Sequence, residues 1–188
     1  MSMTQLALVK RADLPTKSDL IKAIGQLEHK IEILDDFEKF DNIDGISCKF
    51  NDTETFFELY FNSKEEILDD FPHLENKFKD YDYGVSFILG ADFAAGASIG
   101  IICVALIDLC NSTVFYMDDD MLYTREMLLA DTPLFIQELE KQKSMNSTPT
   151  KDIQDKKQTN NLQSDKQTDD KRQHERLSFW TKLKRLWS

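Results

Sequence analysis

The residues of this chain best equipped for chemistry are carboxylates, and they come in two runs. Asp35, Asp36, Glu38, Asp41 and Asp44 crowd one short segment, and Asp118, Asp119 and Asp120 follow one another directly. Carboxylates move protons when two of them face a substrate across a cleft with their pKa values driven apart. They hold calcium when oxygen ligands recur at fixed intervals. Asp41-Asn-Ile-Asp-Gly45 shares a fragment with a calcium loop, but the EF-hand spacing is missing. His29, His73 and His174 stand apart from one another and from any cysteine at zinc-ligand spacing. Cys48, Cys103 and Cys110 form no CxxC pair. Cys103 and Cys110 lie seven apart on an expected helix, about 10 Å of rise, which is too far to bridge. Three reduced thiols are therefore expected, as in a cytoplasmic protein. Gly84, Gly90, Gly96 and Gly100 match neither nucleotide-binding fingerprint, and no GxSxG elbow exists. The expectation is a protein that is not an enzyme and uses no metal or cofactor. Its carboxylates then serve as a contact surface or simply as solvated turns.

Charge is divided along the chain. Residues 1–143 carry 13 Lys/Arg against 28 Asp/Glu, a net −15, whereas residues 144–188 carry 10 against 6, a net +4. The first part repels phosphate backbones, so nucleic acid is not expected as a partner. A basic macromolecule is the partner such a surface favours. The opening residues show neither a sustained apolar stretch nor a cleavage pattern of a secretory signal.

The elements that must position these groups follow from periodicity. Leu6–Val9 reads as a short opening strand. Pro15-Thr-Lys-Ser-Asp carries helix-start chemistry, and Leu20, Ile21, Ile24, Leu27, Ile31 and Leu34 then recur at helical spacing, predicting one helix that ends near Asp35-Asp36. Ile46–Phe50 and Thr55–Phe61 read as a hairpin turning at Asn51-Asp52. Ser63 and Glu66 fit a capping box opening a short helix, 64–70, that stops before Pro72. Leu74–Lys79 reads as a further short helix or turn. Gly84–Leu89 reads as a strand, turned by Gly90-Ala-Asp92 into a small-residue helix over 92–110, with Asn111-Ser112 as its break. Phe93 to Ile107 is free of charge, but at 15 residues it is shorter than the roughly 18–20 a membrane span needs, so a buried core helix is expected. On it, Gly96 and Gly100 suggest close packing against a sheet. Thr113–Met117 reads as another strand closing on the acidic run. Thr124–Leu129 reads as a short helix, and Asp131-Thr132-Pro133 as the cap of a separate last helix, 133–143.

Beyond residue 143 the composition turns to Gln, Asn, Lys, Asp, Ser and Thr. Residues 144–171 are expected to be a disordered linker, because they offer too little apolar surface to offset the entropy of ordering. Residues 172–188 form a basic tail. On a helix Leu177, Trp180, Leu183, Leu186 and Trp187 fall near one stripe, Lys182 and Arg185 border the opposite side, and Lys184 adds to the tail's positive charge. Tryptophan and lysine on a short amphipathic helix suit an anionic membrane surface. The same pattern suits a partner's groove or the chain's own acidic part; a loose end is the third alternative.

The fold class expected is therefore α+β: a mainly antiparallel sheet with a buried small-residue helix and flanking helices in residues 1–143, followed by the linker and the tail. The order Phe57-Glu-Leu-Tyr-Phe61, then Tyr83-Gly-Val-Ser-Phe87 with its glycine turn, then a long Ala/Gly-rich helix, then Val114-Phe-Tyr-Met117 closing on Asp118, resembles a group of small bacterial α+β immunity proteins. These belong to contact-dependent and type VI secretion toxin systems, and the resemblance covers roughly residues 5–142. It implies a cytoplasmic, non-catalytic protein that binds a cognate toxin and blocks it. The chain departs from the group in having Ile88-Leu89-Gly90 where an aromatic-glycine pair is usual. It also continues past the last helix, where the group usually stops. An acidic secretion chaperone or adaptor, and a regulator tethered peripherally to the inner membrane by the tail, are the alternatives. The partner-binding residues expected are the two acidic runs.

Overall fold

The computed structural model describes residues 3–90, 92–117 and 121–146. Asp118, Asp119 and Asp120 lie outside them. So do the tail and, except for residues 144–146, the expected linker. In chain order the elements are β1 (Met3–Val9), α1 (Lys17–Ile24), β2 (Ile31–Ile33), β3 (Gly45–Phe50), β4 (Thr53–Ser63), α2 (Lys64–Asp70), β5 (Tyr83–Leu89), α3 (Phe93–Cys110), β6 (Thr113–Tyr116), β7 (Met121–Tyr123) and α4 (Arg125–Asn146). Short 3₁₀ segments lie at Arg11–Asp13 and Pro72–Phe78. The protein is α+β. The described strands form one sheet in the order β2-β3-β4-β5-β1-β6-β7, and every neighbouring pair is antiparallel.

Local chemistry explains most of these boundaries. Asn51 and Asp52 both take positive φ, 46° and 64°, and join β3 to β4 in register Phe50–Thr53. That is the two-residue turn whose twist suits a hairpin. Ser63 accepts from the Glu66 amide while the Glu66 carboxylate accepts from the Ser63 amide, so α2 opens on the expected capping box. The Asp92 side chain caps α3 through the amides of Ala94 and Ala95. Asn111, in the left-handed conformation at φ 49°, ends it.

Three expectations need correction. The first helix stops at Ile24, capped by Gly25, instead of running to residue 34. Ile31-Glu-Ile33 also fits the two-residue period of a strand, and as β2 it bonds to the edge of β3. Pairing there satisfies the β3 backbone, which a longer helix would leave open. Next, Asp131-Thr132-Pro133 does not cap a new helix, because α4 is continuous through Pro133. Pro133 is exposed, and with no amide hydrogen it cannot donate the helical bond to the Leu129 carbonyl. Finally, β7 was not foreseen; its three residues pair with β6.

The sheet has two unlike faces. One carries Ala7, Ile46, Phe57, Val85, Phe87 and Val114, all buried, against α3 and its neighbours α1 and α4. By length and composition α3 could cross a membrane, but here 78% of it is buried. The other face is covered only in part. Leu6, Leu8 and Phe115 lie beneath α2 and the 3₁₀ segment through Ile67, Leu74 and Phe78. Gly84 lets α2 come this close, since a Cβ there would sit 2.3 Å from Ile67 Cδ1. Over β3 and most of β4, no helix among the described residues lies on this second face.

Candidate functional site

The first acidic run turns out to be divided between fastening and exposure. The segment from Leu34 to Asp44 is pinned by Phe40, fully buried against Phe61 and Phe87. The Asp35 carboxylate accepts from the Ser47 amide at the start of β3. Asp41 accepts from Arg11 Nε at 2.9 Å and from the Tyr83 hydroxyl at 3.2 Å, while the Arg11 guanidinium lies 4.7 Å over the Tyr83 ring. Burial, and then the charge of Asp41, push the Tyr83 phenol above its ordinary pKa. Asp36 is exposed and meets Lys17 Nζ at 3.4 Å, a contact of little energetic weight. Glu38 and Asp44 are exposed. Glu38 borders a wide, shallow depression with Ile21, Phe37 and Lys17, whose one lysine and one glutamate leave no net charge to select a partner. Asp35 and Asp41 therefore hold the loop in place, leaving Asp36, Glu38 and Asp44 to face solvent.

The more distinctive surface is the uncovered face of β3 and β4. Alternation along β4 buries Thr55, Phe57 and Leu59 and turns Glu54, Phe56, Glu58 and Tyr60 outward. Phe56 is 55% exposed and Tyr60 53%. Phe56 leans over β3 at Gly45, where an added Cβ would come within 2.5 Å of its ring. The Tyr60 hydroxyl donates to Glu58 at 3.0 Å, and the bond and charge of Glu58 raise the phenol's pKa. Lys49 is the cation on this part of β3, and it lies 3.4 Å from Glu54. Two large aromatic rings thus stand in a surface where Glu54 and Glu58 outnumber one partly neutralised lysine, with Asp44 at its border. Such a surface can pack apolar groups and attract lysine or arginine, by charge and by cation–π contact.

Sequence reasoning missed Phe56 and Tyr60 because aromatic residues occupy both parities of Thr55-Phe-Phe-Glu-Leu-Tyr-Phe61. The signal was present in the glutamates. Glu54 and Glu58 must face water, and Phe56 and Tyr60 share their parity.

Beside this face, where α2 rises from the sheet, a cleft of about 290 Å³ opens among Leu6, Glu66, Ile67, Asp70, Phe71 and Ser86. Among the described residues no three of His, Cys, Asp and Glu gather in a way that would hold a metal ion. Comparison with family models, with characterised proteins and with solved structures gave no significant match.

Proposed function

We propose that this chain is an immunity-type protein that binds a basic bacterial toxin through the uncovered face of β3 and β4 and blocks it without turning over a substrate. The observation that carries the reading is the pair Phe56 and Tyr60, more than half exposed among carboxylates on a strand that could have buried them. Aromatic side chains are enriched among the few residues that dominate interface energies. The surplus of 15 negative charges over residues 1–143 speeds encounter with a cationic partner. The order of strands and helix that resembles immunity proteins supplies the biological context.

The test pairs the chain with the secreted toxin encoded beside it. Co-expression protects cells from the toxin, and calorimetry gives a Kd. Phe56→Ala with Tyr60→Ala weakens that Kd by about 100-fold or more, since interface anchors are worth about 2 kcal/mol or more each and 1.4 kcal/mol is tenfold. Unchanged affinity in the folded double variant rejects the reading. A secretion chaperone would instead have no toxin for a neighbour and would sediment as a homodimer. The tail favours one addition. Trp180 and Trp187 among Lys182, Lys184 and Arg185 suit contact with anionic lipid. Deleting residues 172–188 should then release the protein from the membrane fraction while leaving toxin affinity intact.

A further inference from the structure

We infer that the uncovered face of β3 and β4 is occupied, until a partner displaces it, by the chain's own basic tail, residues 172–188. The inference deepens the function proposed above and rests on it for what the face is used for. The described chain ends beside the hairpin that carries this face. Phe50, the last residue of β3, packs with Leu139 of α4. The Asp52 carboxyl is held below its ordinary pKa mainly by Lys30, and Lys143 of α4 is close enough to add to the effect. Helix α4 ends at Asn146, less than one turn beyond Lys143. The chain therefore leaves the described residues next to the turn at Asn51-Asp52. Along β4 from that turn, Phe56 is about 13 Å away and Tyr60 about 26 Å, at about 3.3 Å per residue. The 25 residues 147–171 can span up to about 80–90 Å, which is enough to bring the tail round the hairpin tip to both rings.

Charge and side-chain type match on the two sides. The tail carries five basic residues, Arg172, Arg176, Lys182, Lys184 and Arg185, against Glu175. The face offers Glu54, Glu58 and, at its border, Asp44, while its own Lys49 is already paired with Glu54 at 3.4 Å. Trp180 and Trp187 supply rings to pack on Phe56 and Tyr60, and the basic groups suit the same rings by cation–π contact. Other pairings fit less well. The depression beside Ile21 and Phe37 holds one lysine and one glutamate, so it does not select a cationic segment. A second copy laid face to face would set Glu54 and Glu58 against their own kind. Tethering makes weak contact sufficient. A short tether gives an effective concentration of about 1 mM, so a tail with a free affinity of only about 0.1 mM covers the face about nine-tenths of the time. A toxin that binds more tightly displaces it, and removing the tail does not weaken that complex. A membrane that draws the tail away frees the rings as well.

Both tryptophans of the chain lie in the tail, so tryptophan fluorescence of the full-length protein reads the tail alone. In dilute, lipid-free buffer its emission should be blue-shifted from that of a synthetic 172–188 peptide. Acrylamide should quench it no more than about half as steeply as the peptide, given the occupancy that tethering provides. Phe56→Ala with Tyr60→Ala, both at exposed positions of β4, should move both readings to those of the free peptide, with circular dichroism checking that the variant is folded. Glu54→Gln with Glu58→Gln should move them part of the way. Ile21→Ala, in the other depression, should change neither. Emission from the parent chain equal to that of the free peptide would overturn the inference. So would a blue shift that survives in the Phe56/Tyr60 variant, one that fades on dilution because it arises between copies, or one that arises only when vesicles containing phosphatidylserine are added. The measurement needs no toxin. Its failure therefore removes the docking of the tail alone, whereas an unaltered toxin Kd in the Phe56/Tyr60 variant removes the sheet-face reading.

Discussion

Asp131 lies in the middle of α4 at 7% exposure, and its Oδ1 has no hydrogen-bond partner among the described residues. Burial lifts its pKa from the ordinary 3.8 to about 6, with a hydrogen bond from Tyr123 opposing the rise. The sign for stability follows. Below pH 3.8 the group is protonated folded and unfolded, and no penalty exists. As pH rises towards 6 the unfolded chain releases the proton and the folded one retains it, so stability falls. Above about 6 the loss levels off at roughly 3 kcal/mol. Asp131→Asn keeps the shape and removes the charge. Thermal scans of the variant should show a higher Tm than the parent at pH 8 and a matching Tm at pH 4; a gain of equal size at both would show that charge is not the cause. The thiols behave in the same spirit. Cys48, Cys103 and Cys110 are free and buried, and burial raises all three pKa values, that of Cys110 to about 11. Their thiolates are the reactive form. A disulfide reagent at pH 8 should find no fast-reacting thiol in the folded protein and three in guanidinium chloride.

Helix packing is decided at the small residues of α3. A Cβ on Gly96 would fall 2.6 Å from the Phe135 ring, so α4 comes as close as it does because that hydrogen is not a methyl. Thr132 covers the next turn near Gly100, bonding its hydroxyl to the Leu128 carbonyl at 3.0 Å. Arg125 fastens the start of α4 to Asp108 with two bonds of 2.8 and 3.0 Å. Gly96→Ala should cost about 1–3 kcal/mol, the usual range for overpacking. Urea denaturation would show it as a lower midpoint at unchanged slope, and Phe135→Leu in the same chain should recover part of the loss. The spacing of Gly96 and Gly100 indicated close packing from sequence; that the neighbour would be a helix did not follow from it. Caps and turns were legible because each depends on a few adjacent residues, as at Ser63–Glu66 and Asn51–Asp52. The end of α1 and the existence of β7 were not, because Ile31, Ile33 and Met121–Tyr123 become strands only when a distant edge of β3 or β6 is there to pair with them.

At the scale of the whole molecule, the proposed recognition divides between charge and apolar surface. The acidity of residues 1–143 was plain from the sequence, but which carboxylates are tied into the fold and which stay exposed was not. Asp35 and Asp41 are drawn into bonds whose partners, Ser47, Arg11 and Tyr83, lie far along the chain in two of the three cases. Glu54 and Glu58 remain beside exposed rings instead. At the proposed interface these two kinds of group act on different rate constants. Long-range attraction sets association, and the Debye length over which it works shrinks from about 30 Å at 0.01 M salt to about 3 Å at 1 M. Packed aromatic anchors set dissociation. Surface-plasmon measurements of the proposed toxin complex should therefore show association slowing by about tenfold or more over that salt range, while dissociation changes little. Glu54→Gln with Glu58→Gln should reproduce part of the slowing at low salt and lose its effect at high salt. Phe56→Ala with Tyr60→Ala should leave association nearly unchanged and hasten dissociation at every salt concentration. A complex whose association ignored salt would mean that the acidic surface only keeps the protein soluble, and the rings on β4 would then have to recognise their partner without electrostatic guidance.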